Sequence, residues 1–158
     1  MPEPKSDPKS EAKSDIAGSL VPMSKQQAML MLEAAYLWMD LGKFDNAREL
    51  LSGATMLMPK SEVPQIALGS LEFNQGNFEK ALPIFRRAQQ LAPRASLPRA
   101  HVGETLLFMG KVNEAMKELK SALELEPKSD GAKFAEALIA AKETGALPPP
   151  AKQKPAAK

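Results

Sequence analysis

The chain contains no cysteine, and only one histidine, one tryptophan and one tyrosine in 158 residues. Without cysteine there is no disulfide, no thiol nucleophile and no thiolate metal site, the usual condition of a protein kept in a reducing compartment. With His101 as the sole histidine, neither a histidine-based metal centre nor a Ser-His-Asp arrangement with a base to spare can be assembled. His101 itself reads as a partly exposed helix residue. The glycines are spaced too widely for a phosphate-binding loop. The acids fall at helix-surface spacing beside basic partners, as in Glu79-Lys80, Glu114 with Lys117, and Glu118, a pattern of solvated faces. The expectation is a protein that is not an enzyme and uses no metal and no cofactor.

Long apolar runs and basic runs are also missing. No stretch approaches the roughly 18–20 apolar residues needed to span a bilayer, and residues 1–22 lack the apolar segment of a signal peptide. Charge separates the ends from the middle. Residues 1–22 carry three lysines against four acids and residues 146–158 three lysines and no acid, so the net charge of +2 leaves residues 23–145 neutral. A neutral body has no basic stripe for a phosphate backbone. The expectation is a soluble, cytoplasmic protein with no nucleic-acid partner and no membrane insertion. The two ends hold eight of the fourteen prolines, two leucines and no aromatic residue, too little apolar surface to offset the entropy of ordering them. Residues 1–22 and 146–158 are therefore expected to be disordered tails flanking one domain at 23–145.

Within that domain one spacing recurs. Gly42, Gly76 and Gly110 lie 34 residues apart, as do Ala47, Ala81 and Ala115, then Ala54, Ala88 and Ala122, then Pro59, Pro93 and Pro127. Four series in one register define a repeat. Each repeat ends in a segment of the same design: GKFDNARELLSGATMLMP, GNFEKALPIFRRAQQLAP and GKVNEAMKELKSALELEP. The glycines suit the left-handed residue that closes a helix. The first alanine series marks a close helix crossing, and the prolines end second helices, because the residue before proline resists helical geometry. Pro83 is placed in the first turn of its helix.

The resulting helix map is 24–41, 45–57, 63–75, 78–91, 96–109, 112–125 and 130–143. Ser24 with Gln27 forms a capping-box pattern, and Ser129-Asp130 a cap for the last helix. No segment alternates with period two for long enough to be a strand. Expected core residues are Met31, Ala34, Ala35 and Trp38, then Leu68, Gly69 and Leu71, then Val102, Gly103 and Leu106, with Leu51, Phe85 and Leu119 from the second helices.

These motifs closely resemble tetratricopeptide repeats (TPR). The resemblance implies an all-α, right-handed solenoid of three helix pairs, at about 25–59, 62–93 and 96–127, with a capping helix at 130–143. It also implies that first helices line a concave partner-binding groove. Carried onto this sequence, the groove positions are Met29, Leu32, Tyr36, Met39, Val63, Ile66, Phe73, Leu97, Leu107 and Phe108, with Ser70, Ala100, Glu104, Phe134 and Leu138 in the same rows. The wall is mostly apolar although the core positions are already filled, so a second face is left for a partner. Open groove residues such as Phe73 should be removable at little cost, unlike Trp38. Glu72 stands where the repeat commonly has an aromatic residue.

TPR co-chaperones that grip a C-terminal carboxylate use Lys, Asn, Asn, Lys and Arg; the matching positions here are Leu32, Tyr36, Ala67, Leu97 and His101. A carboxylate needs cationic forks and amide donors, so an apolar partner fits better. The chain also looks like the TPR chaperones of bacterial type III secretion, through LGKFDNARELL and EFNQGNFEKALPIFRRAQQLAP, and more like the needle-subunit group than the translocator group. That resemblance implies a cytoplasmic chaperone holding an apolar or amphipathic segment of an aggregation-prone exported subunit, with a possible small helper co-chaperone. Met29 and Met39 could repack around differing client side chains. The alternative reading is a static TPR interaction scaffold in another assembly.

Overall fold

The computed structural model describes residues 23–148. The readings of 1–22 and 149–158 as tails lie outside the described residues. The chain divides at Pro59 into two compact units, both purely helical among the described residues.

The first unit is one antiparallel pair, α1 (Lys25–Asp40) and α2 (Phe44–Leu57). Its entry is the expected capping box: the Gln27 N–H donates to Ser24 Oγ at 3.2 Å, and the Ser24 N–H donates to Gln27 Oε1 at 2.9 Å. Its turn depends on Gly42 at φ +70°. There the Lys43 N–H reaches back to the Trp38 carbonyl at 2.8 Å and the Gly42 N–H to Met39 at 3.0 Å, which satisfies carbonyls that the helix end leaves over. The buried residues are Ala35, Ala47, Leu51 and Ala54. Met31, Ala34 and Trp38, expected in the core, are only partly buried, because a helix packed in its unit on one partner buries one narrow stripe.

The second unit holds α3 (Val63–Asn74), α4 (Phe78–Leu91), α5 (Ser96–Phe108), α6 (Val112–Leu125) and α7 (Asp130–Glu143). Gly76 and Gly110 repeat the left-handed turn at φ +75° and +76°. α3 packs on α4 and α4 on α5, while α5 also meets α6 and α7, and α7 lies against both. α5 is therefore the most buried helix, with Ala100, Val102, Thr105, Leu106 and Leu107 among its inward residues. α7 covers the α5–α6 pair as a capping helix should.

Helix pairs approach through the repeat's small residues: Gly69 lies against Phe85 and Gly103 against Leu119, and Ala81 and Ala115 are fully buried. Five helix boundaries differ by one residue from the sequence map, at turns and caps where the chain enters or leaves the helix. Three details differ in substance. Pro83 sits inside α4, five residues past its start, so the Glu79 carbonyl loses its helical donor; the proline is exposed, where water can replace the bond. Glu118 is not a solvated acid: it accepts from Gln89 of α4 at 3.1 Å and Arg99 of α5 at 3.2 Å, with Arg86 at 3.6 Å. Leu147, placed at the start of a tail, packs partly against the core of this unit.

The α5 and α7 entries are stitched together by polar contacts. The Ser96 N–H donates to Glu126 Oε2 at 2.7 Å, Ser96 Oγ lies 2.7 Å from Ser129 Oγ, and Ser129 Oγ caps α7 by accepting from the Ala132 N–H. Gly131 leaves the room this needs, since a Cβ there would strike Ser96 Oγ and the Leu97 backbone. Glu72 is buried at 4 % exposure. Its Oε2 accepts from Asn77 Nδ2 at 2.8 Å, a polar partner that lets an acid occupy a position commonly aromatic in the repeat.

Candidate partner-binding surface

In α5, Leu97, His101, Glu104 and Phe108 fall at i, i+4, i+7 and i+11, one stripe on the helix. Phe108 at its far end packs edge-on against Phe73 from the end of α3, with ring centroids 5.0 Å apart, and lies 5.5 Å from Phe78. Phe73 and Phe78 are themselves 5.1 Å apart. Two expected wall residues, Phe73 and Phe108, are thus brought together with a third aromatic, Phe78 at the start of α4.

One helical turn before Glu104, His101 stacks on the buried Phe85 ring, 4.8 Å away with the planes 6° apart, and its other neighbour is Phe134 of α7 at 5.1 Å. Its Nδ1 lies 3.0 Å from Glu104 Oε2. A carboxylate can only accept, so with Glu104 ionised Nδ1 carries the hydrogen. His101 is the partly exposed helix residue expected, its side chain 17 % exposed, with two aromatic rings as neighbours.

The remaining expected residues divide by burial. Val63 at 46 % and Leu97 at 37 % are open to solvent, whereas Leu107 at 6 % belongs to the hydrophobic core. As α5 is covered from three helices, its carboxyl-terminal half has no open side at Leu107. Ile66 and Phe73 are half-buried against the same core, so Phe73 does not match the expectation of a freely removable side chain. In the first unit Met29 and Tyr36 are exposed, at 63 % and 45 %, and Leu32 and Met39 are half-buried. Burial of part of its ring pushes the Tyr36 phenol above its ordinary value of 10.0.

Sequence reasoning passed over Leu30 and Leu37 on α1 and Leu41 just past its end, which are also exposed. Their spacing of seven and four residues is the signal that could have marked them. A surface hollow of about 370 Å³ lined by Leu123, Pro127, Lys128, Ala132, Lys133 and Glu136 contains none of the expected wall residues. Among the described residues no group of three or more His, Asp or Glu could hold a metal ion, and no helix is long and apolar enough to cross a membrane.

The tetratricopeptide-repeat family profile matches residues 65–94 and 99–129. No curated protein sequence matches the chain. Among solved structures, the Yersinia enterocolitica type III secretion translocator chaperone SycD is 19 % identical, with a TM-score of 0.66 over 74 % of this chain and 91 % of its own. PcrH from Pseudomonas aeruginosa is also 19 % identical, at a TM-score of 0.68 over 82 % of this chain and 98 % of its own; it has also been solved with the chaperone binding region of PopD. The first TPR of Spaghetti (RPAP3), bound to the HSP90 peptide SRMEEVD, is 23 % identical, at a TM-score of 0.61 over 75 % of this chain and 98 % of its own. Two segments of the chain thus match the tetratricopeptide repeat, and its fold is similar to that of type III secretion translocator chaperones.

Proposed function

We propose that this protein is a cytoplasmic chaperone that holds an apolar or amphipathic segment of an aggregation-prone exported subunit on the inner faces of its repeat helices. The observation that carries the reading is the exposure, within each unit taken by itself, of apolar side chains on helices that already bury other apolar residues: Met29 and Tyr36 in the first unit, Val63 and Leu97 in the second. Solvated apolar side chains are costly unless something covers them in use. A client helix or extended strand laid on them would bury its own sticky residues, and Met29 can adapt to differing side chains. Covering that face would prevent premature assembly before export.

The likeness to SycD and PcrH supports a type III secretion client. It favours a translocator subunit, whereas the sequence resemblance leans towards needle subunits. The likeness to a module holding an acidic HSP90 peptide carries less weight, because Leu97 and His101 replace the cations such a terminus needs. Affinity capture from the native host with the parent and with Leu97→Ser tests the reading. A small exported helical subunit, captured by the parent and lost in the variant, is the expected result. Recovery of one large, stable assembly with both proteins would instead identify a static scaffold.

A further inference from the structure

On the α5 stripe the apolar residues Leu97 and Phe108 flank two polar groups, and those groups are only half satisfied. Glu104 Oε2 is taken by His101 Nδ1. Among the described residues no hydrogen bond is found to Glu104 Oε1 or His101 Nε2, and the two side chains keep 16 % and 17 % of their surface exposed. With Nδ1 carrying the hydrogen, the neutral form of His101 presents a lone pair at Nε2, and the ionised form of Glu104 a charged acceptor at Oε1. Two acceptors and one negative charge on an apolar stripe match a donor that is cationic, the ammonium of lysine or the guanidinium of arginine. His101 cannot swing away easily, since Phe85 stacks on its ring at 4.8 Å and Phe134 adjoins it at 5.1 Å. The acceptor pair is therefore held in place before any ligand arrives.

We propose that the His101–Glu104 pair is a specificity-determining point of this surface, selecting client segments that place a lysine or arginine between apolar side chains. The proposal rests on the reading of the stripe as client-binding. A purely apolar client would leave Glu104 Oε1 desolvated without a donor, although Oε2 keeps His101, a penalty of the kind that makes polar sites reject mismatched ligands. Glu104 thus acts against some clients as well as for others.

The test uses three labelled synthetic peptides, identical in their flanking leucines and differing at one central residue: Lys, Gln or Glu. Fluorescence polarisation is measured on the full chain, on Glu104→Gln and on Leu97→Ser, with thermal melts to confirm folding. Glu104→Gln keeps an acceptor for His101 but removes the charge. The parent should bind the Lys peptide about tenfold more tightly than the Gln peptide and the Glu peptide most weakly, and Glu104→Gln should lose the ranking. Equal binding of all three to the parent, abolished by Leu97→Ser, would leave the apolar surface standing and overturn the charge selection. Retention of the ranking in Glu104→Gln would overturn it as well, by placing the selecting charge elsewhere. Binding of none of the peptides would remove both the surface and its selectivity.

Discussion

Gly69 lies so close to Phe85 that a Cβ at its position would stand 2.6 Å from Cε1 of the ring and 2.7 Å from Cδ1. Phe85 is fully buried and also carries His101 on its face. One missing methyl group therefore lets α3 approach α4, keeps the Phe85 ring in place, and through that ring orients the polar pair on α5.

Gly69→Ala should accordingly destabilise the protein by about 1–3 kcal/mol, the usual cost of overpacking, despite the better helix propensity of alanine. Gly103→Ala should cost less. Its added methyl meets the branched end of Leu119 at 2.6 Å, and a leucine can turn where a stacked ring cannot. Urea midpoints of the two variants give the comparison; a Gly69→Ala protein as stable as the parent would mean that the ring yields freely.

The repeat was legible because its signals are local. Left-handed glycines, closing prolines and buried alanines each follow from a turn or a helix crossing, so the spacing of Gly42, Gly76 and Gly110 located the turns correctly. Contacts across helices were not legible in the same way. Glu118 has lysines beside it in sequence, yet its partners in space are Arg86, Gln89 and Arg99, up to 32 residues away. The wall residues were legible as helix positions, but their exposure depends on which helices cover them. Leu97 and Leu107 share α5; the first is open and the second is core.

The Glu118 contacts join three helices, and their removal should be felt. With its side chain 17 % exposed and that of Arg99 23 %, Glu118→Ala should cost about 1–3 kcal/mol, since Arg99 and Gln89 would lose a charge-assisted acceptor. Arg86→Ala should cost far less, because its 3.6 Å contact is made from a more exposed position. Chemical denaturation of both variants, with the slope unchanged, checks the difference. Equal losses would show that the network contributes nothing beyond surface charge.

Tyr36 is the sole tyrosine, so its ionisation can be followed directly by absorbance. Burial raises the phenol above 10.0 because the charged form is poorly solvated. A group whose value is raised by folding contributes stability that is complete below its unfolded value and is lost as pH rises through the folded value. The titration midpoint of the native protein should therefore lie above that of the urea-unfolded chain, and native stability should begin to fall above about pH 10. Tyr36→Phe should flatten that part of the stability profile. Coincident native and unfolded midpoints would show that the ring is fully solvated.

The last prediction separates the surface from the fold. Phe73 touches Phe78 and Phe108 and is half-buried against the core, whereas Leu97 stands open at 37 % exposure. Phe73→Ala removes two aromatic contacts, each contributing about 0.5–1.5 kcal/mol beyond area, and some buried surface, so it should destabilise by about 1–3 kcal/mol. Leu97→Ser exchanges a side chain that is more than a third exposed and should cost less, about 1 kcal/mol. Client affinity should respond in the opposite order to stability, with Leu97→Ser impairing binding in a protein that melts almost normally. If Leu97→Ser unfolds the protein as readily as Phe73→Ala, the apolar row is part of the core, and the chaperone reading loses the observation that carries it.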